Sequence, residues 1–168
     1  MFNHKKSLFE RLVGAYSAEL YRYAYWLCHD RFTAEDLVQE TFARAWTGWS
    51  SLRDKGAVRK WLYTILRNEN ARLYARKRLD VVEDQEVDML EDHRLGDTYG
   101  EIEMRDALHA LPPSYREPLL LQVLGGFSCE EIAKLMNLTP GAVMTRLCRA
   151  RLKLRKGAAC DNHKQASG

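Results

Sequence analysis

An all-α protein made of two small helical domains is the fold class this sequence predicts, and three observations predict it. Apolar residues recur with a period near 3.6 over long stretches. Only four prolines and ten glycines interrupt 168 residues. Charge is divided into blocks: residues 1–78 carry net +7, residues 79–103 net −9 and residues 104–168 net +5, which the overall +3 conceals. Two basic lobes joined by an acidic strip suit a protein that meets a polyanion. The expected organisation is a first domain over 1–78, a linker over 79–100, a second domain over 101–156 and a loose tail over 157–168.

The first lobe opens with an amphipathic helix over 8–29, its apolar stripe formed by Leu8, Phe9, Leu12, Tyr16, Leu20, Tyr23, Ala24 and Leu27. A second helix is expected to start at Thr33 as N-cap, with Asp36 three residues on. Leu37, Val38, Phe42, Ala45 and Trp46 face the core of that helix. Asp36, Gln39, Glu40 and Ala43 fall at i, i+3, i+4 and i+7 on another face. By spacing alone that acidic face is solvated surface. Gly48, Ser50, Ser51, Asp54 and Gly56 mark a loop. A third helix over 58–78 has a core stripe of Trp61, Leu62, Ile65, Leu66 and Leu73. Its basic stripe is Arg59, Lys60, Arg67, Arg72, Arg76, Lys77 and Arg78. Arginines interleaved with Trp49, Trp61 and Tyr63 suit single-stranded nucleic acid, where bases stack on rings and phosphates meet guanidinium groups. Packing is the competing role for the tryptophans, more so for Trp61 than for Trp49 in the loop.

The strip from Asp80 to Asp92 and beyond has little periodicity and no aromatic residue before Tyr99, and reads as a flexible tether. The second lobe ends in two short helices joined by a tight turn. Ser128 and Glu131 form a capping box for the first of them. Thr139 and Pro140 supply an N-cap and a proline at the first position of the second. Ile132, Ala133 and Met136 line one side of the former, and Val143, Leu147, Ala150 and Leu154 one side of the latter. That is a helix-turn-helix whose last helix turns Met144, Thr145, Cys148, Arg149 and Lys153 outward, where they can read base edges and grip phosphates. The plainer alternative is a basic amphipathic helix closing an ordinary bundle. Upstream, Pro118 follows Arg116 and Glu117 and is read as the first turn of a new helix.

Other function classes lack their residues. Cys28, Cys129, Cys148 and Cys160 are far apart, with no Cys-x-x-Cys or Cys/His cluster, so neither a metal site nor a disulfide framework is expected. Reduced thiols of a cytosol are the simplest reading. Lys5, Lys6, Glu10 and Arg11 break up the apolar start, so no signal peptide or membrane span is expected. No nucleophile–base set or phosphate-binding glycine loop points to an enzyme, a cofactor or a small-molecule substrate. Glu35, Asp36 and Glu40 are neighbouring carboxylates without a cleft, and the five histidines are scattered.

Three segments, in order, resemble the bacterial RNA polymerase sigma factors of the small extracytoplasmic-function (ECF) group of the sigma-70 family. Ala34-Glu-Asp-Leu-Val-Gln-Glu-Thr-Phe-Ala-Arg-Ala-Trp46 is similar to the family's region 2.2, and Trp61-Leu-Tyr-Thr-Ile-Leu-Arg-Asn68 to the start of region 2.4. Leu111-Pro-Pro-Ser-Tyr-Arg-Glu117, Glu131-Ile-Ala133 and Gly141 to Arg151 are similar to region 4. The resemblance covers roughly residues 8–78 and 101–156. It implies promoter-specific transcription initiation with core RNA polymerase, without catalysis by this chain. Region 2.2 implies docking on the β′ clamp helices through Asp36, Gln39, Glu40 and Ala43, and region 4 a contact with the β flap.

Region 2 implies binding and melting of the −10 element. Its candidate residues are Ser51, Arg53, Asp54 and Lys55 in the loop, with Arg59, Lys60, Trp61, Arg67, Arg72 and Arg76 on α-helical surface. Region 4 implies reading of the −35 element by Ser128, Thr139, Met144, Thr145, Arg146, Cys148, Arg149 and Lys153. Family linkers thread through polymerase, so the acidic strip is either an imitation of RNA charge or a plain tether. An anti-sigma factor is an expected partner, holding a cytoplasmic protein at the inner membrane where that partner is membrane-bound. Ala142 stands where the family has threonine. Met144 replaces a polar or basic reader, which implies an altered −35 preference. The alternative function is a helix-turn-helix regulator that does not associate with core polymerase.

Overall fold

The computed structural model of the protein describes residues 2–80 and 99–165. They form seven α-helices: α1 (Phe2–Cys28), α2 (Arg31–Gly48), α3 (Val58–Asp80), α4 (Tyr99–Ala110), α5 (Pro113–Val123), α6 (Cys129–Met136) and α7 (Pro140–Gln165). The chain divides into two compact units, Met1–His93 and Arg94–Gly168. Most of the acidic strip, with both readings of it, lies outside the described residues.

In the first unit α2 packs on both α1 and α3. Leu12, Leu20, Tyr23, Ala24 and Leu27 of α1 meet Ala34, Leu37, Val38, Phe42 and Ala45 of α2 and Val58, Leu62, Tyr63 and Leu66 of α3 in a buried core. These are largely the stripes that periodicity picks out. Removing such apolar surface from water, about 25 cal/mol per Å², is the main force holding the bundle. Phe9 adds an aromatic cluster, with ring centroids 5.0 Å from Trp46 and 5.8 Å from Trp49.

The start of α2 corrects the sequence expectation. His29 closes α1 in the left-handed region with φ 55°. Asp30 is then extended, and its carboxylate accepts the Thr33 N–H at 2.9 Å and the Thr33 hydroxyl. Asp30 is therefore the N-cap, and Thr33 lies in the first turn. The Asp36 box predicted for Thr33 does not form, because a good capping aspartate stands three residues earlier. The expected loop after α2 holds two 3₁₀ turns, Trp49–Ser51 and Lys55–Ala57.

In the second unit α7 packs against α4, α5 and α6. Pro118 is corrected too: it lies buried inside α5, whose first residue is Pro113. The helix forgoes one backbone hydrogen bond there, and burial of Leu119, Leu120 and Leu121 offsets the loss. Between α5 and α6 Gly126 takes φ +65°. A Cβ on Gly125 would stand 2.5 Å from the Leu121 carbonyl oxygen, so the turn requires glycine there. Helix α7 continues to Gln165, where the sequence suggested a loose tail from 157.

Candidate functional site

The helix-turn-helix is built by its caps. The Ser128 hydroxyl accepts the Glu131 N–H at 3.2 Å, and the Thr139 hydroxyl accepts the Ala142 N–H at 3.2 Å. Asn137 ends α6 in the left-handed conformation, and the Leu138 N–H returns to the Ala133 carbonyl at 2.8 Å. Asparagine tolerates that conformation, so a three-residue connection suffices. Ile132, Ala133, Val143, Leu147 and Ala150 are buried between the helices. The predicted outer face of α7 is exposed: Met144, Thr145, Cys148, Arg149 and Lys153 all meet solvent. Arg146 differs, lying half-buried on the flank. Ser128 and Thr139 are caps first, and any DNA contact from them shares the hydroxyl with that duty.

In the first unit Asp36, Gln39, Glu40 and Ala43 are all exposed on one side of α2. They line a groove of about 590 Å³ between α2 and α3, whose other walls include Leu37, Glu69, Leu73 and Arg76. The geometry thus brings together all four residues of the predicted docking face. It adds Arg76, which the sequence reading assigned to DNA. It also adds Glu69, which that reading missed. Glu69 is 4% exposed, and its Oε1 meets the Arg44 Nε at 2.5 Å and the Arg72 Nη1 at 2.7 Å. A carboxylate at that depth is sustained only by paired cations. The signal was readable: Glu69 stands in register with Leu62, Leu66 and Leu73, a charge on an apolar stripe.

The predicted −10 residues are dispersed. Arg53, Lys55 and Lys60 are exposed. Ser51 donates its hydroxyl to the Gly48 carbonyl at 2.6 Å, and Asp54 accepts the Gly56 N–H at 2.8 Å as cap of the second 3₁₀ turn. Trp61 is half-buried, with Trp49 centred 6.5 Å away, so both rings are packed. Arg67 is also half-buried. Arg72 is held by Glu69, and Arg59 by Glu19 of α1 at 2.8 Å. Among the described residues no group of three or more His, Cys, Asp or Glu could hold a metal ion, and no helix is long and apolar enough to cross a membrane.

The family model for sigma-70 region 2 matches residues 12–79, and that for sigma-70 region 4 matches residues 101–154. The chain is 32% identical to the RNA polymerase sigma factor YlaC of Bacillus subtilis strain 168, across 91% of this chain and 92% of that one. It is 35% identical to the ECF RNA polymerase sigma factor EcfG of Rhodopseudomonas palustris, across 72% and 68% of the two chains. The chain is an ECF sigma factor of the sigma-70 family. A solved structure that it resembles is the sigma factor RpoE bound to the anti-sigma factor NepR from Bartonella quintana. The TM-score is 0.74 at 28% identity, covering 91% of this chain and 98% of that one. This sigma factor directs transcription initiation as a non-enzymatic subunit of RNA polymerase. Its first unit holds region 2 and its second unit region 4.

Proposed function

We propose that this sigma factor docks on the β′ clamp helices of core polymerase through Asp36, Gln39, Glu40 and Ala43, with region 4 against the β flap. The observation that carries the reading is the exposed acidic face of α2 over its groove, on a lobe that is otherwise basic. Opposite potentials steer such a face to a basic partner and fix the register of docking. Region 2 then binds and melts the −10 element. Exposed Arg53, Lys55 and Lys60 meet phosphates, and the Trp49–Trp61 pair backs an extruded base. Region 4 lays α7 in the major groove of the −35 element, with Met144, Thr145 and Cys148 toward base edges and Arg149 and Lys153 toward guanine or phosphate. An anti-sigma factor covers these faces in the resting cell; the likeness to RpoE, solved in complex with the anti-sigma factor NepR, supports a partner of that class. The protein acts in the cytoplasm, at the inner membrane when such a partner is anchored there.

Run-off transcription tests the reading. Purified core polymerase and a fragmented library of the source genome are combined with and without this protein. Discrete new start sites sharing two upstream elements are the expected outcome. Duplex binding without core association or initiation would instead identify a helix-turn-helix regulator.

A further inference from the structure

Glu40, a member of the docking face, is not alone in the free protein. Arg44, one turn further along α2, brings its Nε within 3.0 Å of the Glu40 Oε1 and within 2.5 Å of the Glu69 Oε1. Both contacts are ion pairs of one guanidinium, and the nearer carboxylate is Glu69. Glu69 is buried and lines the docking groove, whereas the Glu40 side chain is about half exposed. Arg44 is therefore anchored below by Glu69 and reaches Glu40 as its looser partner.

We propose that Arg44 is an internal stand-in for the polymerase: it occupies Glu40 in the free protein, and a cationic side chain of the partner helix displaces it. Displacement leaves nothing unpaired. Arg44 keeps Glu69, and Glu69 keeps Arg72 at 2.7 Å. Only the solvent-facing half of the bridge is exchanged, and such an exposed contact is weak enough to give up. The arrangement sets the affinity of the docking face below what its carboxylates alone would give. It also favours a partner that brings its own cation over one that offers only apolar contact. This inference rests on the proposed docking face.

The test is titration of core polymerase with fluorescently labelled full-length protein at low and high salt. The variants are Arg44→Ala, Glu40→Gln, Glu40→Arg and the Arg44→Ala/Glu40→Gln double. Arg44→Ala is expected to bind core about 1.5- to fivefold more tightly at low salt, the range of an exposed ion pair. The gain should shrink as salt rises. It should vanish in the Glu40→Gln background, because Arg44 acts through Glu40. A gain that persists in that background would be long-range charge repulsion and overturns the proposal, as does unchanged or weaker binding by folded Arg44→Ala. Should Arg44→Ala fail to fold for want of a Glu69 partner, Arg44→Ala/Glu69→Gln removes the buried charge and carries the same expectation. If both Glu40 variants bind core like the parent, the docking face itself falls. If they weaken binding and Arg44→Ala gains nothing, only the role of Arg44 falls.

Discussion

Arg59 of α3 is bound to Glu19 of α1, with the Arg59 Nε donating to the Glu19 Oε1 at 2.8 Å while the buried Tyr63 hydroxyl donates to the same oxygen at 2.9 Å. The guanidinium also stands 5.4 Å from the Tyr63 ring centre. A residue that periodicity offers as a free phosphate contact is thus part of a cross-helix network. Glu19→Ala should destabilise the first unit by about 1–3 kcal/mol, since it leaves the buried tyrosine hydroxyl without its acceptor. Tyr63→Phe should cost less, because donor and need disappear together. Urea denaturation of the two variants compares them directly, and equal costs would show that Tyr63 does not depend on Glu19.

The same network gives an alkaline signature. Burial raises the Tyr63 pKa well above the ordinary tyrosine value, and the hydrogen bond to Glu19 raises it further. The folded state therefore holds its proton longer than the unfolded chain. Tyr63 contributes stability that is complete below about pH 10, the unfolded value, and is lost as pH rises toward the folded one. Unfolding free energies measured from pH 9 to pH 11 should fall less steeply in Tyr63→Phe than in the parent. Identical slopes would remove Tyr63 from the account.

Arg116 is the matching support in region 4. It is 5% exposed, and its guanidinium donates to the carbonyls of Leu108 at 2.9 Å, His109 at 2.7 Å and Leu111 at 2.8 Å, at the end of α4. Helix ends leave carbonyls short of internal donors, and here one side chain serves those of Leu108 and His109 in the last turn of α4 and of Leu111 just beyond it. Arg116→Met keeps much of the volume but loses every donor. A loss of about 2–4 kcal/mol is expected, seen as a lowered thermal midpoint with core binding by region 2 retained. A loss under about 0.5 kcal/mol, the ordinary surface value, would show that water replaces the guanidinium without penalty.

Asp36 tests the docking face without touching the Arg44 bridge. It is exposed on the groove wall, so Asp36→Arg should leave the fold intact and reverse the local field. Juxtaposed like charges cost several kcal/mol at an interface, so core binding should fall by at least a hundredfold. Co-purification with core polymerase and a circular-dichroism melt settle both halves. Full binding by a folded Asp36→Arg protein would move the polymerase contact elsewhere.

Two cysteines offer a probe of the recognition helix. Cys28 is half-buried, its thiol donates to the Ala24 carbonyl at 2.9 Å, and burial raises its pKa. Cys148 is exposed on the outer face of α7. In a Cys129→Ser/Cys160→Ser background, a maleimide should label Cys148 much faster than Cys28, because the thiolate is the reactive form. Promoter duplex carrying the −35 element, added with core polymerase, should protect Cys148 and leave the Cys28 rate unchanged. Unaltered labelling of Cys148 would place that side of α7 away from DNA.

How much of this was legible in the sequence depends on the kind of interaction. The helix-turn-helix could be read almost residue by residue, because caps and periodicity are local: Ser128, Thr139, Val143 and Leu147 do what their spacing requires. The start of α2 could not, since Asp30 and Thr33 are both good N-caps and the tight reversal at His29 chose between them. Long-range pairs were hidden for a different reason. Glu19 and Arg59 lie 40 residues apart, and Arg44 meets Glu69 across two helices. Charge runs assigned Arg59, Arg72 and Arg76 to DNA. Only packing reveals that two of them are held by carboxylates and the third lines the docking groove.

Arg149 separates base reading from phosphate contact in region 4. It lies on the exposed face with Cys148 and Lys153, five residues beyond the exposed side chain of Met144. A bidentate arginine–guanine contact contributes about 1–3 kcal/mol of discrimination. Arg149→Ala should therefore weaken binding to the preferred −35 sequence by about that amount and bind its single-base variants with little further change. The alternative is a uniform loss on every sequence with a salt slope shallower by about one, the mark of a phosphate contact. Met144→Arg is the companion variant. Met144 is 59% exposed and offers only an apolar surface, suited to a thymine methyl. Arginine there should shift the preferred base toward guanine at one position of the element. A selection of bound sequences from a randomised −35 region, carried out with the holoenzyme, reads both outcomes. An unchanged preference in Met144→Arg would place that side chain outside the groove and shift the reading face of α7 toward Cys148 and Arg149.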